Sequence, residues 1–316
     1  MPDGIILALL VGFMLDLLLG DPPWLPHPVR LIGRLALWAE PRCRALIGQE
    51  YLAGAVFAGG IMGIVGGGVW LVLWGLQRLH PLIAWLAMGY FMFTGLAVRD
   101  LAQEAGAVWR ALRAQELDMA RHQLSRIVGR DTDQLDTPEV VRATVETVAE
   151  STIDGILSPL FWAVIGGAPG LWAYKAINTL DSMVGHREAP YTRFGSAAAR
   201  ADDVANFLPA RFGLCCMVIA TLLVGGPARH CLRIGLRDGG KHPSPNAGIA
   251  EAAMAGALGV RLGGKNTYDG VEERRPYLGD PLLPLQPSCI PQALRLMYAT
   301  SGLALVISLG ARWLVS

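Results

Sequence analysis

Between residues 52 and 76 the chain reads LAGAVFAGGIMGIVGGGVWLVLWGL, 25 residues without a charged side chain. A helix needs about 20 mainly apolar residues to cross a bilayer, and lipid leaves the backbone of such a run no partner but itself. The run is therefore predicted to be a transmembrane helix, and its glycines suit close contact with a neighbouring helix.

Residues 81–98 and 294–310 give further spans, and residues 4–20 a short one that carries Asp16. Two runs stay open. Residues 155–174, with two prolines and a Gly-Gly pair, and residues 212–226, only 15 long, each span, re-enter or lie buried among other helices. Charged residues make up 17% of the chain, against roughly 25% in soluble domains. The expected class is an all-α, polytopic integral membrane protein, a single domain over 1–316 with about four to six transmembrane or re-entrant helices and large cytoplasmic loops. A net charge of +1 gives no case for nucleic acid. Five cysteines without a C-x-x-C pair argue for neither disulfides nor a thiolate metal site. The N-terminus lacks a basic stretch and a small-residue cleavage site, so it reads as a retained first helix.

Arginine counts orient the spans. Segment 21–50 carries four arginines and segment 99–154 seven, whereas the turn 77–80 between spans has Arg78 alone. Positive-inside reasoning places the first two in the cytoplasm of a cell membrane, the inner one in a Gram-negative cell. A re-entrant or hairpin form of 155–174 keeps Arg187, Arg193, Arg200 and Arg211 on that side as well.

The polar chemistry is concentrated in a few stretches. In RDTDQLDTPEVVRATVETVAESTID, residues 130–154, Asp136 or Thr137 can cap a helix that has Pro138 in its first turn. Glu146, Glu150 and Asp154 then stack on one face at i, i+4 and i+8, where like charges repel. A divalent cation relieves that repulsion, and Mg²⁺ is the natural hard-oxygen choice. A solvated acidic face is the plainer alternative. In 175–211, Asn178 and Asp181 share a face, and Asp202 and Asp203 precede Asn206 and Arg211. Carboxylates with interleaved arginines suit a metal–phosphate site, although a loop pairing its own charges reads the same way. GVRLGGKN at 259–266 nearly matches a phosphate loop, but Asn266 stands where the Mg²⁺-binding hydroxyl belongs and a helix rather than a strand precedes it. A glycine loop offering backbone amides to phosphate remains open. GDPPWLPHPVR at 20–30 is a proline-stiffened segment, expected to be extended. It would present Asp21, His27 and Arg30 to the same face as 130–154 and 175–211, or anchor the interface through Trp24.

Six stretches, DLLLGDPPWLPHPVRLIGR, ETVAESTIDGILSPLFW, YKAINTLDSMVGHR, ARADDVANFLPAR, SPNAGIAEAAMAGALGVRLGG and NTYDG, resemble in order and spacing the adenosylcobinamide-phosphate synthase (CobD/CbiB) family of cobalamin biosynthesis. The resemblance covers about residues 12–280. It implies a membrane enzyme that joins the free propionate carboxylate of adenosylcobyric acid to (R)-1-amino-2-propanol or its O-phosphate, with ATP as co-substrate and Mg²⁺. Other late cobalamin-assembly enzymes are further partners. The family supplies no residue roles here, so these follow from chemistry. His27, Glu146, Glu150 and Asp181 are candidates for catalysis. Asp154, Asp181, Asp202 and Asp203 are candidates for metal. Asp21, Arg30, Asn178, Arg187, Asn206, Arg211, Asn246, Lys265 and Asn266 are candidates for substrate and phosphate. The rival is a transporter or corrinoid-binding scaffold, in which Asp16 marks a permeation path.

Overall fold

The computed structural model describes residues 2–22, 24–185 and 190–314. The chain is all-α apart from one hairpin. Its helices are α1 (Pro2–Leu19), α2 (Pro28–Leu46), α3 (Glu50–Leu79), α4 (Pro81–Phe93), α5 (Val98–Arg113), α6 (Leu117–Ser125), α7 (Thr137–Thr152), α8 (Ser158–Val184), α9 (Ser196–Leu223), α10 (Ala228–Asp238), α11 (Ala247–Leu258) and α12 (Cys289–Leu314). Strands β1 (Leu262–Tyr268) and β2 (Val271–Leu278) pair antiparallel.

Among the described residues five helical stretches are long and apolar enough to cross a membrane: Glu50–Leu79, Pro81–Arg113, Thr137–Val184, Ser196–Leu223 and Cys289–Leu314. On α3, Ile64, Trp70, Leu71 and Trp74 are each at least half exposed. An apolar surface that large has lipid as its natural solvent. The fold is that of a multi-pass membrane protein.

The chain divides into two compact units, each built from separate stretches. Unit 1 comprises 1–97, 158–206 and 305–316; unit 2 comprises 98–157 and 207–304. In unit 1, α3 packs on α8, α2 and α4, and α1 packs on α4. Histidine–proline steps start two of these helices: His27 Nδ1 accepts the Val29 N–H at 3.2 Å, and His80 Nδ1 accepts the Leu82 N–H at 3.2 Å. Each histidine fills an orphan donor while the proline needs none. The segment before α2 is not a straight rod. The Leu25 N–H donates to the Pro22 carbonyl at 2.9 Å, so the chain turns there, and Trp24 is exposed.

The open stretch 155–174 contains a break. Gly167 has φ 61° and ψ −153°, outside the helical region and costly for a side-chain-bearing residue. A Cβ on Gly170 would lie 2.7 Å from the Trp162 carbonyl oxygen. A straight helix separates such residues by about 12 Å at 1.5 Å per residue, so the chain doubles back, with Pro169 beside the bend.

In unit 2, α11 packs on α10 and α7, and α5 and α6 pack on each other and on α7. Helix α7 begins with a complete capping box: Asp136 accepts the Glu139 N–H at 2.9 Å and Glu139 accepts the Asp136 N–H at 3.2 Å. Val140, Val141, Ala143, Val145, Val148 and Ala149 are all fully buried, so most of the helix surface is enclosed. Each buried valine contributes roughly 1.5–3 kcal/mol. A π-helical turn at Ile153–Leu157 follows and shifts the side-chain register. The hairpin turns at Asp269 (φ 48°) and Gly270 (φ 78°), the conformation that an Asp-Gly pair favours.

Candidate functional site

Each unit gathers its own polar cluster. In unit 1, Asp202 on α9 is buried, and its Oδ1 accepts from Asn178 Nδ2 at 3.3 Å. Its Oδ2 accepts from Asn206 Nδ2, one turn along the helix, at 2.9 Å. Asn206 Oδ1 accepts in turn from Ser158 Oγ at 2.5 Å and Tyr174 Oη at 3.0 Å. Three candidates read from the sequence thus share one network, and α8 supplies Ser158 and Tyr174 as supports that spacing alone did not indicate. Asp203, half-buried, interacts electrostatically with Asp202. Asp181 is half-buried near the end of α8, its carbonyl accepting the Gly185 N–H at 2.7 Å.

Asp21 and His27 pair with each other, Asp21 Oδ2 lying 2.9 Å from His27 Nε2. Nδ1 caps α2, whereas Nε2, though close to Asp21, makes no hydrogen bond among the described residues. Arg30 is exposed on α2. Arg187 lies outside the described residues.

In unit 2 the expected carboxylate ladder is answered by arginines. Glu146 is buried, 2.7 Å from Arg130 Nη2 and 3.1 Å from Arg142 Nη1, and Glu146 Oε1 also accepts the Gly263 N–H at 2.8 Å. The glycine stretch 259–266 therefore offers an amide to an anion, and that anion is the protein's own carboxylate. Gly263 (φ 78°) sits at a bulge in β1, which turns this N–H inward. Asn266 Oδ1 accepts from Arg130 at 2.8 Å and Arg142 at 3.1 Å, so its amide is oriented. Asn266 Nδ2 has no partner among the described residues. Lys265 is exposed and pairs with Glu272 at 2.7 Å across the hairpin. Glu150 is exposed and Asp154 half-buried in the π-helical turn, so the three ladder carboxylates occupy three different environments. Arg211 donates to Asn246 Oδ1 at 2.7 Å, joining two of the motif stretches.

Sequence reasoning missed several groups in unit 2. Glu251 is buried in α11, 3.8 Å from His242, and His242 Nε2 lies 3.3 Å from Arg275 Nη1. Burial, then the neighbouring Glu146 and Glu150, hold the Glu251 carboxyl well above the usual range. Burial, then Arg275, push the His242 imidazole down. The only signal for Glu251 was a lone charge in the small-residue run AEAAMAGAL. Asp238, fully buried, is clamped by Arg237 at 2.6 Å and Lys241 at 2.5 Å and accepts the Gly279 N–H at 2.8 Å. It ties α10 to the end of β2.

Among the described residues no three His, Cys, Asp or Glu side chains converge closely enough to hold a metal ion by themselves.

The fold and clusters together define a class: a polytopic α-helical membrane protein whose ionisable groups are gathered into side-chain networks, with α3 uncharged between Glu50 and Arg78. The chain belongs to the CobD/Cbib protein family, whose model matches residues 9–297. It is 46% identical over 316 residues to the cobalamin biosynthesis protein CobD of Klebsiella pneumoniae, covering 98% of each chain. It is 47% identical over 301 residues to the protein of that name from Geobacter metallireducens, covering 95% of each. The cobalamin biosynthesis protein CbiB of Salmonella typhimurium is 45% identical over 313 residues, with 97% of each covered. No solved structure matches.

Proposed function

We propose that the protein acts in cobalamin biosynthesis, as the names of its relatives indicate, and that it is an ATP-dependent amide ligase. In this reading ATP phosphorylates the free propionate carboxylate of adenosylcobyric acid, releasing ADP. The amine of aminopropanol or its O-phosphate then attacks the acyl phosphate, forming the C–N bond and expelling phosphate. The ammonium proton passes to a base. Such chemistry needs positioning and charge stabilisation more than a protein nucleophile.

The observation that carries the reading is the convergence of motif residues distant in sequence. Asn178, Asp202 and Asn206 meet in unit 1, and Glu146 and Asn266, and Arg211 and Asn246, meet in unit 2. A transport path would spread such groups along several spans, yet α3 has none between Glu50 and Arg78. Mg²⁺ commonly takes one or two carboxylates together with substrate phosphates. With no three-ligand cluster among the described residues, Asp181, Asp202, Asp203 or Asp154 would hold it jointly with ATP, where it would neutralise phosphate charge.

The purified protein is expected to release ADP and form the corrinoid amide only when cobyric acid, the amine and ATP are all present. ADP release independent of cobyric acid, or none at all, overturns the ligase. A cytoplasmic active site in the cell membrane is tested with a cysteine at the exposed Ser182: labelling solely from the periplasm sinks that placement.

A further inference from the structure

In unit 1, helix α12 ends beside the break in α8, where Arg312 Nη1 donates to the Val164 carbonyl at 3.2 Å. Val164 is the hydrogen-bond acceptor of Arg312 among the described residues, and its Nε is buried without one. The first limb of α8, residues 158–166, stops at Gly167. The last four carbonyls of a helix have no donor within it, and Val164 carries one of these. Backbone groups freed by a break at membrane depth have to be met by protein. A guanidinium here meets the carbonyl and also the negative end of the limb's dipole.

The two limbs are held differently. On the second limb, Trp172 Nε1 donates to the Phe91 carbonyl at 2.9 Å. A Cβ on Gly66 of α3 would lie 3.1 Å from the Ala173 side chain and 3.3 Å from the Pro169 carbonyl oxygen, so this limb packs closely on α3. The tip of the first limb lacks such packing: Ile165, next to the capped carbonyl, is 58% exposed. Lower down, the first limb reaches α9 twice. Trp162 Nε1 donates to the Ala205 carbonyl at 3.2 Å, and Ser158 Oγ to Asn206 Oδ1 at 2.5 Å. Ser158 and Val164 are six residues apart on one helical limb, about 9 Å, so a displaced tip displaces Ser158. Asn206 Oδ1 takes the hydroxyls of both Ser158 and Tyr174, which turns its Nδ2 toward Asp202 Oδ2.

We propose that Arg312 is a positioning residue for the chemistry at Asp202, acting through the first limb of α8, Ser158 and Asn206. The reaction it serves rests on the ligase reading, whereas the clamp on the limb does not. By fixing the tip, Arg312 holds the Ser158 hydroxyl against Asn206, and the Asn206 amide in turn fixes the direction of the Asp202 carboxylate.

The test is amide formation by the full-length protein in detergent, with kcat and KM measured separately. Arg312→Met keeps an apolar stem of similar length and removes the donor. It is expected to lower kcat about tenfold and to leave the KM values near wild type. Arg312→Lys returns a cation to the cap and is expected to recover most of the loss. Ser158→Ala is expected to lower kcat to a similar degree, and the double variant to be no worse than the stronger single, because both lie on one path. Losses that multiply, a lysine variant no better than methionine, or an unchanged kcat in Arg312→Met overturn the proposal. A second measurement does not depend on the reaction. A nitroxide on Ile165→Cys, with the more accessible Cys43 and Cys215 replaced by serine, is expected to become more mobile in Arg312→Met. Unchanged mobility overturns the clamp. A responsive label in a wild-type protein that forms no amide sinks the ligase reading and leaves the clamp standing.

Discussion

Both units bury a carboxylate in a polar network, but they satisfy it differently. The oxygens of Asp202 in unit 1 are met by two neutral amides, from Asn178 and Asn206. The oxygens of Glu146 in unit 2 are met by two guanidinium groups and a backbone N–H. Neutral donors orient a charge without cancelling it, so Asp202 can still act on a bound cation or proton. Arginines spend the charge on holding the fold together, because a buried ion pair is stable only while both partners remain. The same residue type thus reads as chemistry in one unit and as architecture in the other.

Matching neutral substitutions break or sharpen that contrast. Glu146→Gln leaves Arg130 and Arg142 buried with too little counter-charge. It is expected to cost about 3–5 kcal/mol, read as a large fall in thermal midpoint and in folded yield. A midpoint close to wild type would show that unit 2 does not depend on this pair. Asp202→Asn keeps the shape and is expected to do the opposite. Amide formation should fall about a hundredfold, roughly 2.7 kcal/mol of barrier, with little change in midpoint. Equal losses of stability and turnover would erase the distinction.

A third change tests Glu251, the buried carboxyl that unit 2 sets against His242 rather than an arginine. Folded protein keeps a proton on Glu251 that the unfolded chain releases in the ordinary carboxylate range. Stability from this group is therefore full below that range and lost as pH rises toward the folded value. Glu251→Gln should remove the loss, flattening the decline in midpoint as pH rises above the ordinary carboxylate range. A wild-type slope in the variant refutes the account. The smallest effect belongs to Lys265, whose exposed pair with Glu272 is screened by water. Lys265→Ala should match wild type in midpoint and turnover, and a loss of ATP binding would restore it as a phosphate ligand.

How far the sequence could be read follows from how local each signal was. Uncharged runs of helical length marked the spans, and Asp136 with Pro138 and Glu139 marked the start of α7, because both depend on neighbours in the chain. The face shared by Asp202 and Asn206 was visible for the same reason. Of the guanidinium partners of Glu146, Arg142 stood four residues before it on the same helix face, but Arg130 is 16 residues away, and the shared Asn266 lies on a strand that an all-α expectation does not contain. The Asp269-Gly270 turn was the available cue for that hairpin. Glu251 was hidden by its surroundings, since alanines and glycine on every side suggest core packing and leave a single charge without context.

The Glu146 bond to Gly263 spans 117 residues, and everything in unit 1 from 158 to 206 lies inside that loop. At a synthesis rate of about 5–20 residues per second, α7 waits roughly 6–23 seconds after it is made before β1 exists to close over it. During that interval Glu146 lacks the Gly263 N–H, and of its partners in the folded chain Arg130 and Arg142 are already made. The two salt bridges are thus the part of this cluster whose residues are all made before the distant strand arrives.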